Sequence, residues 1–262
     1  KAMRDFLPGP AGLPPDGAYL RVLHPCGGPR RPAGSADAPS GAAEAGAPDS
    51  FPRAGDAGES DFGVLPADLL FFDLETLGFL GHPVFLIGLL RRSEPAGDWC
   101  TIQLLARDYT EEEAILHAFC EECGTAGRWV SFNGKSFDLP FLRRRAAFHR
   151  IRLPAPAEHL DLLHLARRQY RGVLPNCRLQ TLEDRVLRRA RARDLPGAEI
   201  PSAYHDYVRT GDATAMELIL EHNRYDLMTL ARLFLHLESG EDAEGPACGA
   251  PREPEEKEDA QP

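Results

Sequence analysis

The stretch Asp68–Glu75, DLLFFDLE, with Thr76 after it, decides the fold. The segment Val64–Leu74 has the apolar density of a fully buried strand. Two acids, Asp73 and Glu75, stand at its end. Residues two apart in a strand point to one face, so their carboxylates would lie side by side. The competing reading ends the strand at Phe72 and leaves both acids in a turn.

Outward from this strand, Pro83–Leu90 (PVFLIGLL) and Cys100–Leu105 (CTIQLL) read as two more. Thr110 is expected to cap the next helix, with Glu111, Glu112 and Glu113 in the first turn, where the helix dipole favours anions. Ile115, Leu116 and Phe119 give that helix its buried stripe. Arg128–Phe132 (RWVSF) is a fourth strand, closed by the turn residues Asn133 and Gly134. Phe137–Phe148 is helical, with Pro140 in its first turn, where its missing N–H costs nothing. His159–Leu162 is a short fifth strand running into a helix over Leu163–Tyr170. Further helices are expected around Leu179–Leu187, Ser202–Arg209 and Met216–Leu237. Strands first, then mostly helices, give an α/β domain with a mixed central sheet flanked by helices. Tyr19–Leu23 (YLRVL) reads as an edge strand joined to it across an insertion.

Composition sets the limits of that domain. Residues 1–60 are largely Gly, Pro and Ala and cannot bury enough surface to offset their ordering entropy, so disorder is expected there apart from the edge strand. Residues 239–262 read as a disordered acidic tail. Residues 62–237 form the domain. The net charge of −10 is uneven: the tail holds eight acids against two bases, whereas Phe141–Arg193 holds fourteen basic residues against four acids. A phosphate backbone requires a local basic field of this kind, and a solvated Arg-rich surface produces the same count.

Six cysteines without framework spacing imply free thiols in a reducing compartment. Cys120 and Cys123 form one CxxC within a helix. With no second pair to complete a zinc site, it reads as two coincident helical cysteines. No apolar run reaches about 18 residues, so no transmembrane helix is expected, and the first residues lack a signal-peptide pattern. A cytoplasmic protein is expected. The chain opens on Lys rather than Met, which leaves its natural start open.

Two more acids join the first pair. Asp138 follows the Asn133–Gly134 turn at the mouth of a helix, where an ordinary cap would also put an Asp. Asp226 is less ordinary. On a helical wheel Ile219, Leu230, Leu233 and Leu237 fall within roughly 40° of it, so it stands within an apolar stripe. A buried carboxylate there needs a cation, a partner or a proton. His222, four residues earlier, shares its face, and an Asp–His pair that merely fixes the helix is the alternative. Should the four acids converge, two unit charges about 4 Å apart repel by roughly 4 kcal/mol even at a dielectric near 20. Hard oxygen ligands point to Mg²⁺ or Mn²⁺, and two such ions suit phosphodiester hydrolysis.

Three motifs now carry a resemblance. FFDLET resembles the first motif of the DEDD 3′–5′ exonuclease superfamily. SFNGKSFDLPFL (Ser131–Leu142) resembles the second, as in family B DNA polymerase proofreading domains, and EHNRYDLMTLARL (from Glu221) resembles the third. HLDLLHLARR, LQTLE and PGAEIPSAYHDYVRTGD are similar to the YprB-type branch of ribonuclease-H-like proteins. The resemblance spans residues 62–237.

It implies a ribonuclease-H-like fold and metal-binding carboxylates at Asp73, Glu75, Asp138 and Asp226, which would hold two ions. Asn133 would position substrate or order its turn, and Asp161 matches a recurrent acid that is equally an N-cap. The motifs depart from the pattern at one point. His222 stands at the spacing that the family gives a tyrosine, with Glu221 where a histidine would stand, and it is assigned to orient or deprotonate the attacking water. Tyr225 lies about 100° round the helix from Asp226 and substitutes poorly. Leu77 replaces a common second Thr.

The activity implied is a 3′–5′ exonuclease on a single-stranded end of DNA or RNA, with no membrane partner. Arg143, Arg144, Arg145, Arg167, Arg168 and Arg171 would grip the backbone without reading sequence. Phe79 and Leu80 would wedge against the terminal base or belong to the core. A structure-specific endonuclease and a non-catalytic nucleic-acid-binding module are the alternatives.

Overall fold

Six strands form one sheet: β1 (Leu20–Cys26), β2 (Leu69–Thr76), β3 (Val84–Arg92), β4 (Trp99–Leu105), β5 (Arg128–Ser131) and β6 (Glu158–Asp161). The helices are α1 (Glu112–Cys123), α2 (Asp138–Phe148), α3 (Leu162–Tyr170), α4 (Leu179–Arg185), α5 (Ile200–Thr210) and α6 (Thr214–Ser239). The computed structural model describes residues 19–26, 62, 64–93, 97–124, 126–189, 191 and 195–239. The expected disorder of residues 1–16, 27–60 and 240–262 falls outside them.

The strand order is β1-β4-β3-β2-β5-β6. β2 pairs antiparallel with β3 and parallel with β5, while β5 and β6 are parallel and β3, β4 and β1 are antiparallel. The sheet is therefore mixed, and β1 is its edge. β2 lies inside, and its side chains alternate between two packed faces. Phe72 meets Phe119 of α1 and Trp129, the latter at 5.7 Å between ring centroids. Phe71 meets Phe234 of α6 at 5.9 Å. Helices thus cover both faces, and a strand buried on both sides reads as an unbroken apolar run.

The start of α1 differs from expectation. Thr110 does not cap it; Asp108 caps the turn that leads into it, its carboxylate accepting from the Thr110 N–H at 2.8 Å and from the Thr110 hydroxyl at 2.6 Å. A single 3-10 turn, Tyr109–Glu111, precedes α1. Aspartate accepts from the backbone without surrendering a proton of its own, and Thr110 is already inside the turn.

Glu112, in the first turn of α1, ties three elements together. Its carboxylate accepts from the Val84 N–H of β3 at 2.9 Å, from Arg145 Nε of α2 at 2.7 Å and pairs with His149 Nε2 at 2.9 Å. Arg145 was expected to grip phosphate. It is instead buried, donates to the Gly81 carbonyl at 2.8 Å and lies 4.4 Å from the Phe148 ring. Burial raises the Glu112 carboxyl, but hydrogen bonds from Arg145, His149 and Val84 outweigh this and hold it below its ordinary range.

Removing one partner of a buried pair leaves the other charge uncompensated. Glu112→Ala is expected to cost about 3–5 kcal/mol in urea unfolding. The contribution of Glu112 is complete above its unfolded-state value, about 4.3, and disappears as pH falls through the lower folded value. The gap between variant and parent should therefore close in acid. A gap that stays constant with pH would show that the ion pair is not its source.

Candidate active site

β2 carries Asp73 and Glu75 as strand residues, opposite Gly88 and Leu86 of β3. They are not in a turn. A register shift between Glu75 and Thr76 ends the regular pairing just beyond them, an irregularity that re-aims side chains at a strand end. By alternation both acids share the face of Leu69 and Phe71, which α6 covers.

α6 brings three polar groups to that face. Asn223 Nδ2 donates to Asp73 Oδ2 at 3.0 Å. His222 Nε2 lies 3.4 Å from Asp226 Oδ2 and 4.0 Å from Glu75 Oε1, so it bridges helix and strand rather than only bracing its own helix. Asp226 is buried, on the helix face that also carries the buried Ile219, Leu230 and Leu233. The Arg191 guanidinium lies 4.9 Å from the Tyr225 ring.

Asp138 is the first residue of α2 and is buried. The loop before it is built for close approach. Asn133 takes a positive φ of 62°, and a Cβ on Gly134 would lie 2.2 Å from Ser131 Oγ and 3.2 Å from Asp138 Oδ2. Asp161 anchors this loop: its carboxylate accepts from the Asn133 N–H at 2.8 Å, the Lys135 N–H at 3.0 Å and the Leu163 N–H at 3.1 Å. One buried acid thus caps α3 and holds the turn that delivers Asp138.

Burial, then Asp226, Glu75 and Asp138, push Asp73 well above the ordinary carboxylate range, against the Asn223 hydrogen bond that lowers it. Burial pushes Asp138 up to about 7, with Asp161 adding to it and the backbone N–H groups of Asp138 and Leu74 opposing it. Asp226 is raised by burial, which outweighs the lowering by Arg191 and His222. A set of buried hard oxygen donors suits Mg²⁺ or Mn²⁺. Among the described residues no three Asp, Glu, His or Cys side chains close to ligating distance.

The protein supplies a cation of its own, one that the motifs do not reveal. Arg191 donates from Nε and Nη2 to the two Glu183 oxygens, each at 2.8 Å, and from Nη2 to Asp226 in a close ion pair. The Thr229 hydroxyl donates to Glu183 Oε1 at 2.8 Å. Arg191 Nη1 also lies 3.3 Å from His222 Nδ1. Arginine only donates, so Nδ1 accepts, and the proton of the neutral ring sits on Nε2, facing Asp226. Of the expected phosphate contacts, Arg143, Arg144, Arg167, Arg168 and Arg171 are exposed. The last three lie about 9–15 Å along α3 from its N-cap, at 1.5 Å per residue. Phe79 and Leu80 are not core: they are 84% and 52% exposed on the loop after β2.

Fold and site together define a ribonuclease-H-like domain with buried acids contributed by β2, α2 and α6. The chain belongs to the RNase_H superfamily, whose family model matches residues 70–238. It is 34% identical over 176 residues to Uncharacterized protein YprB of Bacillus subtilis (strain 168), a match covering 65% of this chain and 42% of that protein. The chain thus spans less than half of that relative's length. A solved structure, the family B DNA polymerase from the hyperthermophilic archaeon Pyrobaculum calidifontis, is similar over 67% of this chain and 26% of its own. Its identity is 17% and its TM-score 0.47. No helix among the described residues is long and apolar enough to cross a membrane.

Removing the guanidinium would leave Glu183 and Asp226 buried without their cation. Arg191→Met is expected to lose about 3–5 kcal/mol in urea unfolding. Millimolar Mg²⁺ should recover part of this loss, because an ion that binds only the folded state stabilises it. Equal stability of variant and parent in EDTA would show that Arg191 contributes nothing net.

Proposed function

We infer that this domain is a divalent-metal-dependent nuclease of the DEDD type that shortens DNA or RNA from a single-stranded 3′ end. One observation carries the reading. His222 of α6 lies 3.4 Å from Asp226 and 4.0 Å from Glu75 of β2, and Asn223 of the same helix donates to Asp73 at 3.0 Å, a gathering of buried acids around one helix that stability alone would not favour.

Asp73, Glu75 and Asp226 would hold one Mg²⁺ or Mn²⁺, and Asp138 would help hold a second. When bound, such ions lower the pKa of a water and offset the charge of the reacting phosphodiester. His222 stands beside Asp226 and Glu75, with Nε2 toward both carboxylates and Nδ1 toward Arg191. With its proton on Nε2 it orients an oxygen by donating to it, which favours orientation over deprotonation as its role. Asn133 orders the turn before Asp138 through its backbone conformation. Arg143 and Arg144 of α2, Arg167 and Arg168 of α3 and Arg171 just after it would meet phosphates along the strand and set position, not sequence.

A nuclease assay on 5′-labelled single-stranded DNA and RNA, in Mg²⁺, Mn²⁺ or EDTA, tests this. A metal-dependent ladder shortening from the 3′ end is expected. Asp73→Ala should lower the rate by about a thousandfold or more, since metal stabilisation of a transition state is worth several kcal/mol. Cleavage of a circular substrate would establish an endonuclease instead, and binding without cleavage a non-catalytic module.

Phe79 and Leu80 project between Gly78 and Gly81, whose φ values of 107° and 108° suit a tight loop. A base stacked on an exposed aromatic ring is worth about 1–3 kcal/mol. Phe79→Ala is expected to raise KM for single strands by about ten- to a hundredfold while leaving the melting temperature unchanged. An unchanged KM would remove this loop from the substrate path.

A further inference from the structure

Asp73, Gly88 and Gln103 form a row across the middle of the sheet. Asp73 of β2 is the pairing partner of Gly88 of β3, and Gly88 is the partner of Gln103 of β4. All three would project to the face covered by α6, but the middle position has no side chain. Asn223 of α6 occupies that space. A Cβ on Gly88 would lie 2.1 Å from Asn223 Oδ1 and 2.8 Å from Nδ2, so any larger residue would displace the amide.

The amide cannot turn over. Gln103 Nε2 donates to Asn223 Oδ1 at 3.0 Å and to the Leu220 carbonyl at 2.8 Å, which fixes Oδ1 as the acceptor end. Nδ2 therefore faces Asp73, donating to its Oδ2 at 3.0 Å and lying 3.4 Å from its carbonyl oxygen. Both Asn223 and Gln103 are fully buried. Gln103 spends its donors here and leaves its Oε1 buried without a hydrogen bond among the described residues. Hydrocarbon side chains at 103 and 223 would avoid that cost, so stability does not explain the pair.

We propose that Asn223, clamped by Gln103 over Gly88, is a positioning residue that fixes the orientation of the Asp73 carboxylate for a divalent ion. This rests on the nuclease reading and extends it to Asn223, which lies within the third motif, and to Gly88 and Gln103, which lie outside the motifs. Gln103 and Gly88 act through Asn223, and Asn223 acts through Asp73. Partners of this kind, one step removed from the ion, set ligand geometry and are typically worth about 10–100-fold in metal affinity.

The test is Mn²⁺ affinity of the full chain by calorimetry or electron paramagnetic resonance, alongside urea unfolding. Asn223→Ala is expected to weaken Mn²⁺ binding by about 10–100-fold. Gly88→Ala should weaken it similarly, although Gly88 has no polar side chain to offer an ion. The double variant Gly88→Ala with Asn223→Ala separates positioning from packing, since the new methyl occupies room that the lost amide vacates. It should regain stability relative to Gly88→Ala yet bind Mn²⁺ no better than Asn223→Ala. Folded variants that bind Mn²⁺ as tightly as the parent would overturn the positioning role alone. A parent chain that binds no Mn²⁺ would overturn both this role and the nuclease reading.

Discussion

Negative charges that water cannot screen, held near one another at the end of β2, are the constraint on which the rest of this structure turns. Asp73 shows it most directly, because burial and three neighbouring acids all push its carboxyl upward. Each opposing contact comes from a different part of the chain. Asn223 of α6 donates to Asp73, Arg191 pairs with Asp226, and backbone N–H groups of β2 and α2 oppose the rise of Asp138. Apart from the N–H of Asp138 itself, none of these contacts exists in an isolated helix or strand. The acids therefore make the site depend on complete docking of α2 and α6, and the cost of placing them is met by tertiary structure rather than by local propensity.

Much of the architecture was legible because it follows from periodicity. Strands buried on both faces appear as FLIGLL or DLLFF, and the stripe of α6 shows in the spacing of Ile219, Leu230 and Leu233. Even the edge strand β1 could be read in YLRVL. What failed was the choice among neighbours of equal chemistry. Arg143, Arg144 and Arg145 are consecutive, and on a helix they point about 100° apart. One of them must face α1, and only the position of Glu112 selects Arg145. Likewise Asp108 and Thr110 are both good caps, and the extra 3-10 turn decides between them.

The site was legible in its acids and silent on what holds them. Arg191 is one arginine among many between Phe141 and Arg193, and its partner Glu183 lies in α4 eight residues before it. Nothing local distinguishes a guanidinium that crosses to α6 from one that stays in solvent. Asn223 had a readable signal, but in another strand. A glycine inside an otherwise bulky strand marks close approach by another group, and Gly88 in PVFLIGLL is such a position. The clue points to a visitor without naming it, because the visitor arrives 135 residues later in the chain.

The unusual spacing of His222 follows from the same electrostatics. A tyrosine four residues before Asp226 would present an O–H toward the acids. A histidine there presents either a lone pair or an N–H, depending on its tautomer, and Arg191 decides by donating to Nδ1. With Nε2 protonated, the ring faces Asp226 and Glu75 as a donor. A lone pair aimed at those carboxylates would add to the repulsion, whereas an N–H reduces it. On the nuclease reading, Arg191 and His222 then form one device: the arginine sets the tautomer, and the tautomer lets a histidine serve as the donor that tyrosine would otherwise supply. The pairing also explains why Glu183 is buried. It accepts two hydrogen bonds from Arg191, leaving Nη1 directed at the ring.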